Sequence, residues 1–373
     1  MNPDGKPPEE ARPAGPAGGP ADRSVNRRSA LLGLAAAAGV VVAGGGGLAE
    51  ASGLLRPQAL TPSRFADRFE QVYGRHRGFR RNHAKGLAAA GSFSADGTGS
   101  EVSKASAFRS GTVPVRARFS LSGGLPDQPD KADTVRGLAL QFTLPHGQQW
   151  RTAMVNIPVF PDATPRGFYD RMLASRPVPG TGRADPDAMA SFLRRHPETA
   201  TAMQVIKQAP PSAGFADSTF RGLNAFLATN EAGRTRPIRW SAIPLDTDSA
   251  PADPADDYLF RALIERVGRG PVRWKLVLTL AEPADPTHDA TIAWPRQRRT
   301  LDVGIITIDR VDTEQAGNAR DINFDPLVLP DGLAPSDDPL PRARSAVYAR
   351  SFDRRAREPK SPSAINVEQV PHD

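Results

Sequence analysis

Residues 113–121 and 137–144 alternate apolar with polar or small side chains without a break. A period of two puts every second side chain on one face of a strand, so each run reads as a strand with one buried face. Further strands are predicted at 154–160, 272–281 and 301–309. Residues 219–227 and 236–245 flank the turn Asn230-Glu231-Ala232-Gly233 as a hairpin. Helical spacing is confined to fewer places. Thr61-Pro62-Ser63-Arg64-Phe65 opens a helix with Phe65, Phe69 and Val72 on one side, 185–208 is helical but interrupted at Pro197, and 257–267 is helical. Thirty-seven prolines and 33 glycines cut up the 373 residues. That punctuation argues against a helical bundle and predicts an α+β fold around an antiparallel sheet or barrel.

The first 51 residues stand apart. Residues 1–22 are rich in Pro, Gly, Ala and Glu, a composition that cannot bury a core. Then come the pair Arg27-Arg28, an apolar run of small residues at 30–43, the glycines 44–47, and Ala49-Glu50-Ala51. An arginine pair, a mildly apolar stretch and an Ala-x-Ala cleavage site are the layout of a twin-arginine export signal. The run is short for a membrane span, so export by that machinery to the periplasm or beyond is the expectation. Membrane anchoring would follow if the signal were left uncleaved. The folded domain is expected over 52–358, with a loose polar tail at 359–373.

The formal net charge is +7, and five basic against five acidic groups in residues 1–51 leave that excess to the rest. No basic block is interleaved with aromatics, so the charge describes a surface rather than a nucleic-acid site. The absence of cysteine excludes disulfides and Cys metal sites.

Three separated runs carry the candidate chemistry. His83 lies in Arg80-Arg81-Asn82-His83-Ala84-Lys85-Gly86, followed by Ala88-Ala89-Ala90-Gly91. Asn156 lies in Met154-Val155-Asn156-Ile157-Pro158. Tyr348 follows Arg344 by four residues, after Pro335-Ser336-Asp337-Asp338-Pro339. Each has an ordinary structural reading: a capping histidine, an asparagine turning the chain before proline, a core tyrosine. Taken in order, with Arg118-Phe119-Ser120, Asp133-Thr134-Val135-Arg136-Gly137, Ala293-Trp294-Pro295 and Asn323-Phe324-Asp325-Pro326, they resemble the haem catalase family over roughly residues 61–357. They look most similar to its short exported branch, the catalase-related peroxidases.

The resemblance implies a catalase-like antiparallel β-barrel core with packed helices that binds haem b. It implies Tyr348 as the phenolate axial ligand of the haem iron, with Arg344 favouring the phenolate. His83 would shuttle a proton between the two peroxide oxygens, and Asn156 would hold the peroxide by an amide hydrogen bond. Ser120 would fix the His83 tautomer. Small residues after His83 would let the flat macrocycle approach. Arg80, Arg118 and Arg136 would meet haem propionates; Arg80, crowded by Arg75, Arg77 and Arg81, also reads as plain basic surface, and Arg136 as a structural ion pair. Phe168 would lie over the distal haem face, with Tyr169 an alternative register. Without cysteine, thiolate ligation and covalent attachment of haem are excluded.

The activity implied is reduction of hydrogen peroxide or organic hydroperoxides, through an oxoferryl intermediate, by a small organic electron donor. A true catalase dismutating hydrogen peroxide would use the same residues, and a non-enzymatic haem carrier would need neither His83 nor Asn156. Long catalases continue well beyond their tyrosine, and Asn82 is polar where they are apolar. The first departure predicts a more open pocket suited to bulkier peroxides, and the second argues against the channel constriction of long catalases.

Overall fold

The computed structural model describes residues 60–370, apart from 132, 179, 182, 211 and 247–257. The expected export signal therefore lies outside the described residues. Strands β1 (Gly86–Ala95), β2 (Gly111–Leu121), β3 (Arg136–Thr143) and β4 (Gln149–Val155) follow one another as antiparallel neighbours. β5 (Phe220–Arg221) continues the sheet from β4 to β7 (Thr235–Pro244). β8 (Val272–Leu280) pairs with β7 on one side and with β9 (Thr300–Asp312) on the other, and β9 returns to β1. These eight strands close into an antiparallel barrel, which leaves none of them with a free edge. β6 (Phe226–Thr229) and β10 (Leu333–Pro335) extend the sheet beside β7.

The alternation read in the sequence sorts β2 as expected. Val115, Ala117, Phe119 and Leu121 enter the barrel core, where Phe93, Phe142, Trp150, Trp240 and Trp274 are also buried. Phe142 stacks on Trp150 at 4.7 Å, and Trp150 meets Trp240 edge-on at 5.2 Å. Arg118 and Ser120, on the opposite face of β2, are buried too. A charged residue buried on the outside of a barrel marks where other elements cover it.

Those covering elements are helical. Helix α1 (Pro62–Tyr73) starts where predicted, with the Thr61 hydroxyl accepting from Arg64 N at 3.3 Å and Pro62 in the first turn. α2 (Pro165–Ala174), α3 (Pro186–Arg195) and α4 (Pro197–Gln208) follow β4. Pro197 ends α3 and starts α4, as the sequence required. α5 (Leu259–Gly268) packs on the core through Leu259, Leu263 and Ile264. α6 (Pro339–Ala356) is capped by Asp338, whose carboxylate accepts from Leu340 N at 2.9 Å.

Three expectations need correction, and one strand had no counterpart among them. β1 was not foreseen, because Ala and Gly give no alternation; its pairing is decided by Gly91, where an added Cβ would lie 1.9 Å from Thr307 O. The strand expected at 154–160 runs instead over Gln149–Val155, since Asn156 N makes a last bond to Arg136 O and Pro158 then brings no donor. The run 219–227 is broken into β5 and β6: Leu223 takes φ +61°, and Gly222 sits against Trp240. The described part of the expected loose tail, residues 359–370, packs on the domain. The Glu358 carboxylate meets Arg81 at 2.6 Å and Arg75 at 3.0 Å, and Ile365, Val367 and Val370 pack on the core.

Candidate active site

A cavity of about 720 Å³ lies between the outer barrel wall and the helices. Gly137, Ala139 and Ala153 form its sheet side, and α1, α2, α4 and α6 supply Phe65, Phe168, Met203 and Tyr348. The small wall residues come from β3 and β4, not from the Ala-Gly run after His83, which does not line the cavity. Run 88–91 belongs to β1, and Ala88 there packs against Ile322 and Phe324.

His83 borders this cavity at the entrance to β1, with φ at +57°. A left-handed backbone at a non-glycine residue is uncommon and persists where surrounding contacts over-determine it. Those contacts are visible. His83 O accepts from Arg118 Nη1 at 2.8 Å, and ring Nδ1 lies 3.1 Å from Ser120 Oγ, the partner expected from the sequence. Gly137 makes room: a Cβ there would stand 3.0 Å from Ser120 Oγ and 3.4 Å from the imidazole. Burial first, then the guanidiniums of Arg118, Arg344 and Arg80, push the imidazole pKa down to about 3. The ring is therefore neutral across the physiological range and able to accept a proton.

Tyr348 faces the cavity from α6. Arg344, one turn earlier, places Nη2 at 3.5 Å from the phenol oxygen and 3.2 Å from Ala153 O, with Nη1 at 2.6 Å from Asn224 Oδ1. Asn224 Nδ2 donates in turn to Asp338 Oδ2 at 2.8 Å, so the helix cap and the tyrosine share one network.

Three arginines gather beside this cavity: Arg118 and Arg355, which are buried, and Arg80, which is half-buried. Arg80 Nη2 donates only to backbone carbonyls, Ala319 O and Ile322 O at 3.0 Å among them. Burial, then Arg355 and Arg118, hold its pKa well below the ordinary value. Arg355 Nη1 donates to Arg320 O, while its buried Nη2 has no partner. Burial, then Arg118, lower the Arg355 pKa to about 10. Arg118 is bidentate to Glu314, at 2.8 and 3.0 Å. Of the carboxylates among the described residues, only Glu314 stands at hydrogen-bond distance from these three guanidiniums, with Asp321 acting on Arg355 from further away, so the cluster remains short of negative charge. A buried cation needs an anion, so the cluster fits a ligand carrying two carboxylates, as haem does, and the apolar slot and Tyr348 fit its macrocycle and iron.

Other expected site residues are placed as follows. Phe168 lines the cavity, whereas Tyr169 packs edge-on against Phe65 and receives Arg68 Nη2 at 3.0 Å. Arg136 does not line it. Its Nη1 reaches Ser212 Oγ and Gly214 O at 2.7 Å and Ser218 Oγ at 3.1 Å, clamping 212–218 instead of meeting a propionate. The carboxylate facing Arg118 is Glu314, so that arginine does not depend on a propionate for its charge partner. Asn156 is half-buried between two lining residues, Val155 and Ile157, with Oδ1 accepting from Arg136 N at 2.8 Å. Asn82 lines the cavity, its Oδ1 fixed by Gly123 N at 3.0 Å. The sequence reading missed Arg355, although two full turns of α6 separate it from Tyr348 and that spacing puts both on one helix side. It also missed Glu314 and Asn224, for which no local signal exists.

The sequence matches the family model described as catalase over residues 67–371. A catalase-related peroxidase of Synechococcus elongatus is 38% identical over 303 residues, covering 80% of this chain and 89% of the relative. Another, of Mycolicibacterium paratuberculosis, is 34% identical over 300 residues, covering 78% and 94%. The crystal structure of a fungal catalase superposes with a TM-score of 0.66 at 20% identity, covering 79% of this chain. The match spans 62% of that enzyme's length, and at such identity it speaks for the fold alone.

Proposed function

The chain belongs to the catalase family and is a peroxide-acting oxidoreductase, and from that premise we propose that it is an exported haem b peroxidase. It reduces hydrogen peroxide or organic hydroperoxides with electrons from a small organic donor. The observation that carries this reading is one cavity holding both a neutral, backbone-clamped His83 and the Arg344-supported Tyr348.

Haem, when bound, supplies an iron that the peroxide oxidises and the donor reduces. The protein does the rest. Tyr348 would hold the iron from α6, with Arg344 Nη2 3.5 Å from its oxygen. Arg80 and Arg355 take the propionates. His83, with Nδ1 engaged by Ser120, uses Nε2 to accept a proton from one peroxide oxygen and return it to the other, so that water rather than hydroxide leaves. Asn82 brings an amide to the cavity wall, and Asn156, which does not itself line the cavity, lies between Val155 and Ile157, which do. Phe65, Phe69, Phe160 and Phe168 keep the pocket dry.

Access favours peroxidase over catalase chemistry. Met203 lines the cavity and is 42% exposed, which supports entry along α4 for organic hydroperoxides and donors. Export rests on the Arg27-Arg28 signal pattern; replacing both arginines by lysine should retain the protein in the cytoplasm, and unchanged export would remove that part of the reading.

The test of the chemistry uses purified haem-loaded protein mixed with hydrogen peroxide or an organic hydroperoxide, with and without a phenolic donor. Donor oxidation with little oxygen release supports the peroxidase. Rapid oxygen release without donor would make it a catalase. A protein that takes up no haem would defeat both.

A further inference from the structure

Glu314 is a buried carboxylate with no place in the chemistry described so far. It follows β9 by two residues, and the loop that carries it is anchored at both flanks: Thr313 O accepts from Asn318 Nδ2 at 2.8 Å and Thr313 Oγ1 from Val367 N at 3.0 Å, while Gln315 N donates to Asn318 Oδ1 at 3.2 Å. Burial alone would raise its pKa, but Arg118, aided by Arg80 and Arg355, overrides this and holds it at about 2. It is therefore a fixed anion inside a cluster of cations.

Arg118 has five N–H groups to place. Nε and Nη2 meet the two Glu314 oxygens at 2.8 and 3.0 Å, Nη2 also donates to Ala84 O at 3.2 Å, and Nη1 donates to His83 O at 2.8 Å. One N–H, on Nη1, is left. The fork geometry of a bidentate pair fixes the plane of the guanidinium. Here it aims the remaining donors at the carbonyls of His83 and Ala84, around the residue whose φ is +57°. The tuck is built in, since a Cβ on Gly86 would stand 2.3 Å from Arg118 Nη2. Arg80 and Arg355, in contrast, have no carboxylate among their hydrogen-bond partners, and Arg355 Nη2 is buried with none.

We propose that Glu314 is a positioning residue for His83: it claims Arg118, makes that arginine the clamp of the histidine backbone, and leaves Arg80 and Arg355 to take the propionates. The inference rests on the haem reading given above and divides three similar arginines between two tasks. Cofactor retention and distal proton transfer then depend on different members of one cluster.

The experiment compares wild type with Glu314→Gln, Glu314→Asp, Arg355→Gln and His83→Gln, each loaded with haem. Two quantities are read: the rate of haem loss to a haem-scavenging apoprotein, and the rate of cyanide binding to the ferric form. Hydrogen cyanide must give up its proton to a distal base as it binds, so the second rate reports on His83 and not on the cofactor cradle. Glu314→Gln should keep haem as wild type does and bind cyanide roughly tenfold more slowly, as expected for loss of a supporting contact. Its resting spectrum, set from the Tyr348 side, should not change. Glu314→Asp should recover part of the cyanide rate. Arg355→Gln should lose haem about tenfold faster, the scale of one charged hydrogen bond, with near-normal cyanide binding in the loaded fraction. His83→Gln should slow cyanide binding without haem loss.

If Glu314→Gln loses haem like Arg355→Gln while cyanide binding stays normal, Glu314 belongs to the cofactor cradle and the proposal fails. If neither rate changes, the Glu314–Arg118 pair is only packing, and the proposal fails as well. A wild-type protein that binds no haem would instead defeat the underlying haem reading, an outcome visible before any variant is made.

Discussion

Arg344 stands 3.5 Å from the Tyr348 hydroxyl across one turn of α6, and its other hydrogen bonds go to neutral acceptors, Asn224 Oδ1 and Ala153 O. Among the described residues, no carboxylate stands at hydrogen-bond distance from this guanidinium. Asp338 is one step further away, behind Asn224.

That arrangement predicts a graded effect. Tyr348→Phe should abolish the axial ligand, so haem loading falls and the ferric absorption spectrum changes. Arg344→Leu should keep the phenol but remove the donor beside it, slowing peroxide turnover roughly tenfold. Full haem loading with an unchanged ferric spectrum in Tyr348→Phe would exclude the ligand role.

His83 links acid sensitivity to the site. Its pKa is about 3 in the fold against an ordinary 6.5, so between those values the unfolded chain binds a proton that the folded chain does not. Stability therefore is unaffected by this group above pH 6.5 and is lost progressively as pH falls from 6.5 towards 3. His83→Gln should flatten the fall of the melting temperature between pH 6.5 and 4.5 while strongly reducing peroxide turnover. Equal acid sensitivity in both proteins would show that other groups govern it.

Gly91 is where β1 changes register against β9. Gly91→Ala would drive a methyl into Thr307 O, with Thr307 C and Ile308 Cα also at 2.9 Å. Backbone cannot rotate aside as a side chain does, so the barrel must open locally, and destabilisation of about 3 kcal/mol is expected. Chemical denaturation of wild type and variant measures it; a change below a few tenths would mean the strand pair yields freely.

Glu358 holds the C-terminal segment. It bonds Arg75, Arg81 and Gly78 N, and Arg81 is almost fully buried. Burial raises the Glu358 pKa, but the hydrogen bonds of Arg81 and Gly78 overcome it and bring the value to about 2. Glu358→Ala leaves Arg81 with Glu70 as its one acidic partner and should cost about 2 kcal/mol, the scale of a charged hydrogen bond. Limited proteolysis should then cut within 358–370 much faster than in wild type.

The sequence by itself determined whatever depends on neighbours along the chain. Alternation fixed β2 and β3, Thr61 and Pro62 fixed the start of α1, Pro197 separated α3 from α4, and the i,i+4 spacing placed Arg344 beside Tyr348. The ordered motifs also pointed to His83 and to the family. Tertiary structure alone decided the pairings between distant residues. Arg118 and Glu314 are 196 positions apart, and Arg81 and Glu358 are 277 apart. An arginine in a sequence shows only that it needs an anion. Which one it finds is set by how the barrel closes, so Arg118 meets Glu314, Arg136 turns away to Ser212 and Ser218, and Arg355 is left facing the cavity. For the same reason β1 was illegible: Ala and Gly carry no hydrophobic period, and their role as a strand comes from the partners on either side.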